Sequence, residues 1–394
     1  MPYNNLPYNN LTYNILSYNN KTNEDRLMKP FNAAVSALTL SITLAMGAQA
    51  ADEIRIGIAG PMTGTVSQYG DMWFQGVHAR AELINRAGGV DGRTIELVDY
   101  DDACDPKQAV AVANKVISDG IRFVAGHLCS SSTQPATDVY EEEGVIAVST
   151  STNPGITERG YQLIFRTIGL DSDQGPTAAN YIIQQLKPQR VAILHDKQQY
   201  GEGIALSVHD TLQKAGVNIV SVEGITAGDK DFSSVITKLK RANVDLVYYG
   251  GYHPELGLIM RQSFDIGFKP QFMGPEAVGN REIANIAGEG AEGLLVTLPA
   301  RYDLLAKNQP MVELMKSKGQ DPTGPFVWTG AAALDSMVTA IAKVGDDPYK
   351  VADYLRTNPV DTAMGPLTWD NKGDLVGFEF GIYRWHADGT GTPL

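Results

Sequence analysis

From Ile54 onward, short apolar runs alternate with longer stretches whose apolar residues recur every three or four positions. Ile54 to Ile58 reads as a strand, and Gly60-Pro61-Met62-Thr63-Gly64 as a turn. A helix is predicted from about Gly70 to Arg86, broken by Ala87-Gly88-Gly89, with a second strand over Ile95 to Tyr100. Pro106 to Ser118 places Ala109, Val112, Ala113 and Val116 on one helical face. Phe123 to Gly126 and Val145 to Ser149 continue the strands. Repeated βαβ units of this kind build a parallel sheet covered on both faces. The pattern pauses around Gly169-Leu170-Asp171-Ser172 and then starts again. Helices are predicted over Tyr181–Leu186, Ile204–Ala215, Phe232–Ala242 and Leu256–Asp265, and strands over Val191–His195, Val217–Val222, Asp245–Tyr249, Gln271–Gly274 and Gly293–Thr297. The fold class is therefore α/β, with two similar lobes of parallel-type sheets flanked by helices. A cleft between such lobes is where a small ligand binds.

One strand-to-helix junction carries an unusual density of hydroxyls. Gly126-His127-Leu128-Cys129 is followed by Ser130-Ser131-Ser132-Thr133-Gln134-Pro135, then by a predicted helix that stops at Gly144. Ser131 with Gln134 has capping-box spacing, and Pro135 is expected in the first turn, where it costs no hydrogen bond. Free N–H groups and the positive end of the helix dipole suit a small oxyanion such as a carboxylate. Serines that merely cap the helix are the plain alternative.

The 394 residues suffice for two domains. A net charge of −13 makes nucleic acid and anionic membrane poor partners. The N-terminal part reads as two different things. Residues 1–27 are a low-complexity repeat of Tyr and Asn with period five, possessing no core-forming logic. Residues 28–50 read as a signal peptide: Met28-Lys29, an apolar run from Ala33 to Met46, and Ala48-Gln49-Ala50 as the cleavage rule. Translation from Met28 and a real extension are both open. The chain from Ala51 would carry −14 and reside in the periplasm. Its two cysteines, Cys104 and Cys129, are an even pair in an oxidising compartment, so a disulfide is expected, with two buried thiols as the alternative. Neither a metal site nor a cofactor is expected.

Several catalytic motifs are excluded. Gly288-Glu289-Gly290-Ala291-Glu292-Gly293 has GxGxxG letters but precedes a strand instead of following one. GxxxxGK[ST], HExxH and GxSxG are missing from the sequence. Asp99, Asp101, Asp102 and Asp105 lack the glycine and distal glutamate of a calcium loop and read as a solvated loop. His195-Asp196 and the serine-flanked His127 leave an amidase-type enzyme as an alternative. Three further strand ends are richer in polar and aromatic groups than a core requires: Ser149-Thr150-Ser151-Thr152, Tyr248-Tyr249-Gly250-Gly251-Tyr252, and Gly274-Pro275-Glu276.

The chain from about Ile54 to Gly389 closely resembles the periplasmic leucine/isoleucine/valine-binding proteins, the soluble receptors of branched-chain amino acid ABC importers. The resemblance rests on Tyr100-Asp101-Asp102-Ala103-Cys104-Asp105-Pro106, on Gly126 to Ser132, on Asp171-Ser172-Asp173-Gln174-Gly175-Pro176, on Asp196 to Gly203, and on Met364 to Asp370. It implies a hinged type I periplasmic-binding-protein fold with crossings near Leu170, Leu298 and Gly381. That divides the chain into lobe 1 (51–170 plus 299–380) and lobe 2 (171–298 plus 381–394).

The same resemblance implies a bonded Cys104–Cys129 pair, a branched-chain L-amino acid as ligand, membrane permease subunits as partners, and a monomer. Ser130 matches the serine that holds the ligand carboxylate, and Thr152 the threonine at the backbone groups, with Thr150 and Ser151 beside it. Glu276 matches the acid that pairs with the ammonium, with Tyr252 next to it. Tyr69, Leu128, Cys129, Tyr200 and Phe326 match the walls around the side chain. Tyr69 is the form that accepts all three branched residues; the leucine-selective relative has Trp there. The Ser149–Ile156 stretch departs from the family form by being one residue shorter, so Thr152 is aligned through Asn153-Pro154. A sensory receptor domain of the same fold is the other alternative, against which stands the expectation of no later apolar span.

Overall fold

The computed structural model describes residues 53–394. The expected N-terminal repeat and leader lie outside the described residues. The first five strands are β1 (Ile54–Gly60), β2 (Ile95–Asp101), β3 (Phe123–Ala125), β4 (Ile146–Ser149) and β5 (Ile164–Arg166). They form an all-parallel sheet in the order β2-β1-β3-β4-β5. Helices α1 (Ser67–Arg86), α2 (Pro106–Ser118) and α3 (Ser130–Glu142) are its crossovers. The predicted bounds of α2 are those observed, and its four predicted apolar residues are all buried. Asp105 caps α2 by accepting from the amides of Lys107 and Gln108, and Pro106 occupies the first turn, where its missing N–H is not needed.

The second sheet is built from β6 (Val191–His195), β7 (Ile219–Gly224), β8 (Leu246–Gly250), β9 (Gln271–Gly274) and β10 (Leu295–Leu298). Helices α4 (Asp171–Tyr181), α5 (Gln199–Lys214), α6 (Ser233–Arg241), α7 (His253–Asp265) and α8 (Arg281–Ala287) accompany it. The chain then returns to the first sheet as α9 (Gln309–Ser317), α10 (Pro325–Val344), α11 (Pro348–Thr357) and the ribbon β11 (Val360–Thr362) with β12 (Gly365–Leu367). It ends as β13 (Gly381–Trp385) and β14 (Gly391–Pro393), which run antiparallel at one edge of the second sheet, in the order β14-β13-β10-β9-β8-β6-β7. The chain thus passes between the sheets three times: after Arg166, after Leu298 and before Gly381.

Three readings of the sequence are corrected. The pause near Asp171 is the start of α4, which continues through residues 182–186 as a wider π turn. Its buried positions include Asp171, Gln174 and Gly175, so hydrophobic periodicity could not reveal it. A later apolar span does exist: α10 is long and apolar enough to cross a membrane by composition. It is a core helix instead, 83% buried over that window and packed on α1. Gly76 makes that contact close, since a Cβ there would lie 2.1 Å from the Val327 carbonyl oxygen. Third, the acidic loop is not simply solvated. Asp102 is fully buried and accepts from His127 at 2.6 Å.

Candidate functional site

In both sheets the parallel strands point their C-terminal ends toward one cleft, and the loops leaving them carry its lining. The loop after β1 leads to Tyr69, that after β3 to Leu128 and Ser130, and that after β4 to Thr150, Ser151 and Thr152. From the other side come Tyr200 after β6, Tyr252 after β8, and Glu276 after β9. Phe326 at the start of α10 completes the wall. About 260 Å³ of space unoccupied by atoms lies among them. Of the eleven ligand residues expected from sequence, ten line this pocket; Cys129 does not line it, but joins Leu128 to Ser130.

The hydroxyl side is rigidly built. Cys129, now bonded to Cys104, occupies the N-cap of α3, which rules out the free-thiol alternative. The expected capping box is not formed: the cap is Cys129, without a side-chain cap bond, and the Ser132 and Thr133 hydroxyls donate to its carbonyl at 3.0 and 2.9 Å. Pro135 lies in the second turn of α3, so the helix forgoes one internal hydrogen bond there. Ser130 stands at the first helical position, where backbone amides have no intrahelical acceptor.

Two of the expected hydroxyls are already engaged. Ser151 donates to the Leu128 carbonyl at 2.9 Å, and Thr150 to Thr329 at 3.1 Å. The Thr152 hydroxyl has no protein partner although it is buried. The loop is clamped by Arg166, a residue the sequence did not flag. Its guanidinium is buried, pairs with Asp374 at 2.7 Å, and donates to the carbonyls of Ser151 and Asn153 and to Thr157.

The opposite side holds Glu276, with a second buried carboxylate, Asp171, near it but outside the lining. Glu276 is 3% exposed, and Gln174 donates to it at 2.6 Å. Burial pushes Glu276 up to about 7, against the pull of that bond. Asp171, at the first position of α4, is 2% exposed, and its carboxyl faces the Thr152 hydroxyl without a close hydrogen bond. Burial, and then the charge of Glu276, push it up to about 8. Asp171 was not among the expected site residues; an acid opening a helix beside a crossing strand was the available signal. Among the described residues, no Lys or Arg lines the pocket. Burial keeps the phenols of Tyr200 and Tyr252 protonated well past their ordinary range. The site therefore has an acidic pole without a cation and a neutral hydroxyl and amide pole facing it.

Aromatic rings close the space between the poles. Tyr69 packs on Tyr252 and Phe326 with ring centroids 5.7 and 5.6 Å apart, and Tyr200 on Tyr252 at 5.3 Å. The Tyr69 hydroxyl bridges the cleft, meeting His253 and the Ala277 carbonyl and accepting from Asn280 at 3.2 Å. Burial lowers His253 to about 4, so its ring is neutral. A serine-hydrolase arrangement is not present at His127, whose nitrogens face Asp102 at 2.6 Å and the Tyr140 hydroxyl at 3.0 Å.

A family model described as periplasmic binding protein matches residues 53–390. The chain belongs to the periplasmic binding protein family. It is 59% identical over 343 residues to the Leu/Ile/Val-binding protein of Escherichia coli strain K12, covering 87% of this chain and 93% of that one. A leucine-, isoleucine-, valine-, threonine- and alanine-binding protein of Pseudomonas aeruginosa is 52% identical, over 95% of this chain and all (100%) of its own. Among solved structures, a branched-chain amino acid transporter substrate-binding protein of Streptococcus pneumoniae in complex with isoleucine superposes with a TM-score of 0.79. Its identity is 25%, and the match covers 86% of this chain and 98% of that one. These relatives are named as binding proteins, as the family is.

Proposed function

We propose that this protein captures branched-chain L-amino acids between its lobes and presents them to the permease of an ABC importer. The observation that carries the reading is the buried carboxylate of Glu276, in a pocket lined by no Lys or Arg whose other pole is hydroxyls and a helix start. A free amino acid has the complementary charges. Its carboxylate takes Ser130, the amides at the start of α3 and Thr152; its ammonium takes Glu276, with Asp171 near it, beneath Tyr252. A tyrosine face adds about 0.5–2 kcal/mol to a cation contact. The aliphatic tail is buried against Tyr69, Leu128, Tyr200 and Phe326, at roughly 25 cal/mol per Å². Thr150 and Ser151 act on the ligand through their backbone, since their hydroxyls are engaged elsewhere.

Lobe 1 comprises 51–170 plus 299–380, and lobe 2 comprises 171–298 plus 381–394. Each lobe supplies one pole, so only the shut form lets one ligand touch both, and binding selects closure. Shutting the lobes around the two acids without an ammonium is costly, which keeps the empty receptor open. The protein acts as a monomer in the periplasm, exported by the 28–50 leader, and releases its ligand unchanged.

A thermal-shift screen of the twenty amino acids on protein starting at Ala51 tests the class, with leucine, isoleucine and valine expected to stabilise most. Calorimetry on Glu276→Ala is expected to show leucine binding weakened tenfold or more. Unchanged affinity removes Glu276 from the site.

A further inference from the structure

Glu276 opens the short turn that follows β9, and its carboxyl is met from a different element, α4. Gln174 Nε2 donates to Glu276 Oε2 at 2.6 Å and to Thr297 Oγ1 on β10 at 2.7 Å. Gln174 and Thr297 are both fully buried. Strands β9 and β10 run parallel with Gly274 opposite Val296, so Thr297 lies beside the turn that carries Glu276. Helix α4 is pinned in reach of both. The Ser207 hydroxyl of α5 donates to the Asp171 carbonyl at 3.0 Å, and a Cβ on Gly175 would lie 2.2 Å from that hydroxyl. In the lobe division proposed above, Gln174, Glu276 and Thr297 all belong to lobe 2, so their arrangement does not depend on closure.

A primary amide carries two N–H donors and one carbonyl acceptor. Here the donor end is turned to Glu276 and Thr297, and Gln174 Oε1 is buried without a partner. A glutamine kept only to fill a core has its acceptor paired as well. Hydrogen bonds given to a carboxyl group favour its ionised form. Among the described residues, the titratable groups facing Glu276 are Asp171 on α4, Tyr200 on α5, Tyr248 on β8, Tyr252 after it and Tyr69 on α1, none of them a cation. Arg166 acts on Asp171 but is already paired with Asp374. Burial opposes the charge of Glu276, and the Gln174 bond is the strongest pull the other way.

We propose that Gln174 is a positioning residue of the site: it holds the Glu276 carboxylate aimed into the pocket and ready for a cationic group, and Thr297 fixes the amide that does so. Gln174 does not line the pocket, so it acts through Glu276 and not on the ligand. An ammonium as the cationic group rests on the function proposed above; the hold of Gln174 on Glu276 does not.

Two variants test it on protein starting at Ala51. Gln174→Met keeps length and burial and removes the donors; Thr297→Val keeps shape and removes the second acceptor. The first readout needs no ligand. Carbon-13 NMR of the Glu276 carboxyl is expected to show a titration midpoint higher by roughly one pH unit in Gln174→Met, with a smaller rise in Thr297→Val. An unchanged midpoint in Gln174→Met overturns the proposal. The second readout is calorimetry with leucine at pH 7. Gln174→Met is expected to weaken binding about tenfold or more, the scale of a hydrogen bond to a charged group. In a Glu276→Gln background the same change is expected to cost no more than about twofold, because the group it acts through is gone. Equal losses in the two backgrounds mean a merely structural glutamine and overturn the proposal. A raised midpoint in protein that binds no leucine sustains the hold on Glu276 and overturns the amino-acid reading; leucine binding with an unmoved midpoint does the reverse.

Discussion

Two buried acidic centres sit on either side of the crossing that leaves β5, and they are treated in opposite ways. Asp374 is met by Arg166 at 2.7 Å and by the Thr157 hydroxyl at 2.7 Å. Asp171 and Glu276 are as deeply buried but are met only by neutral groups, the Gln174 amide at 2.6 Å and the more distant hydroxyls of Thr152 and Tyr200. The first centre has its counter-charges within the chain, Arg166 and, 3.2 Å from Asp374 Oδ2, Lys372, and it holds a loop in place. The second is complete only when something brings a positive charge. An isolated ion taken out of water costs several kcal/mol, so burial pushes both acids toward their neutral forms and favours any positive charge brought to them. The contrast separates architecture from binding more sharply than burial alone, since both centres are almost fully enclosed.

The largest test of that contrast is to break the completed centre. Arg166→Ala is expected to lower folding stability by about 3–5 kcal/mol, because it strands Asp374 and frees the 151–157 loop. Denaturant unfolding reads it, and a loss under 1 kcal/mol would mean the clamp is redundant. In the open centre, Glu276→Gln keeps shape and removes charge. It is expected to cost on the order of 2–4 kcal/mol in leucine affinity while leaving the melting point of the ligand-free protein unchanged or higher. A variant that lost stability and kept affinity would place Glu276 with Asp374 instead.

The pH response sharpens the same comparison. Asp171 at about 8 and Glu276 at about 7 both lie above ordinary carboxylates in the shut form. The folded acids therefore hold protons that the unfolded chain has released between about pH 4 and pH 8. Shut-form stability falls as pH rises through that window, and an ammonium from the ligand reverses the loss. Stabilisation by leucine is accordingly expected to be larger at pH 8 than at pH 5, by about 1 kcal/mol or more, the free energy of roughly one pKa unit. Equal melting shifts at both pH values would contradict it. The smallest effects lie among the hydroxyls. Thr152→Val is expected to weaken leucine binding by about 1 kcal/mol, the scale of one hydrogen bond. Thr150→Val, whose hydroxyl serves Thr329, is expected to change stability slightly and affinity less.

Legibility in the sequence followed the same divide. Where burial is apolar, periodicity was sufficient: α2, β6 and β9 have the bounds read from the chain, and α2 buries the face predicted for it. It failed at α4, because a helix that buries Asp171, Gln174 and Gly175 toward a site has no apolar stripe to detect. The capping-box reading failed for a related reason. Spacing cannot show that Cys129 is the cap and that Gln134 turns instead to Gln199 of the facing lobe. The hydroxyl loops and Glu276 were legible as polar text at strand ends, and the family resemblance turned that text into a pocket. Arg166 appeared only as a cation ending an apolar strand, and its partner lies 208 positions away.

The second passage of the chain, which brings it back to the first sheet, has a consequence for biogenesis. Helix α1, with Trp73, Phe74 and Val77 buried, finds its cover in α10, more than two hundred residues downstream. The amino-terminal sheet therefore stays unfinished until most of the polypeptide has been made and threaded out. Until then an uncovered aromatic stripe is exposed to chaperones and to its own copies, so the vulnerable moment of this protein falls in its assembly rather than in its working life.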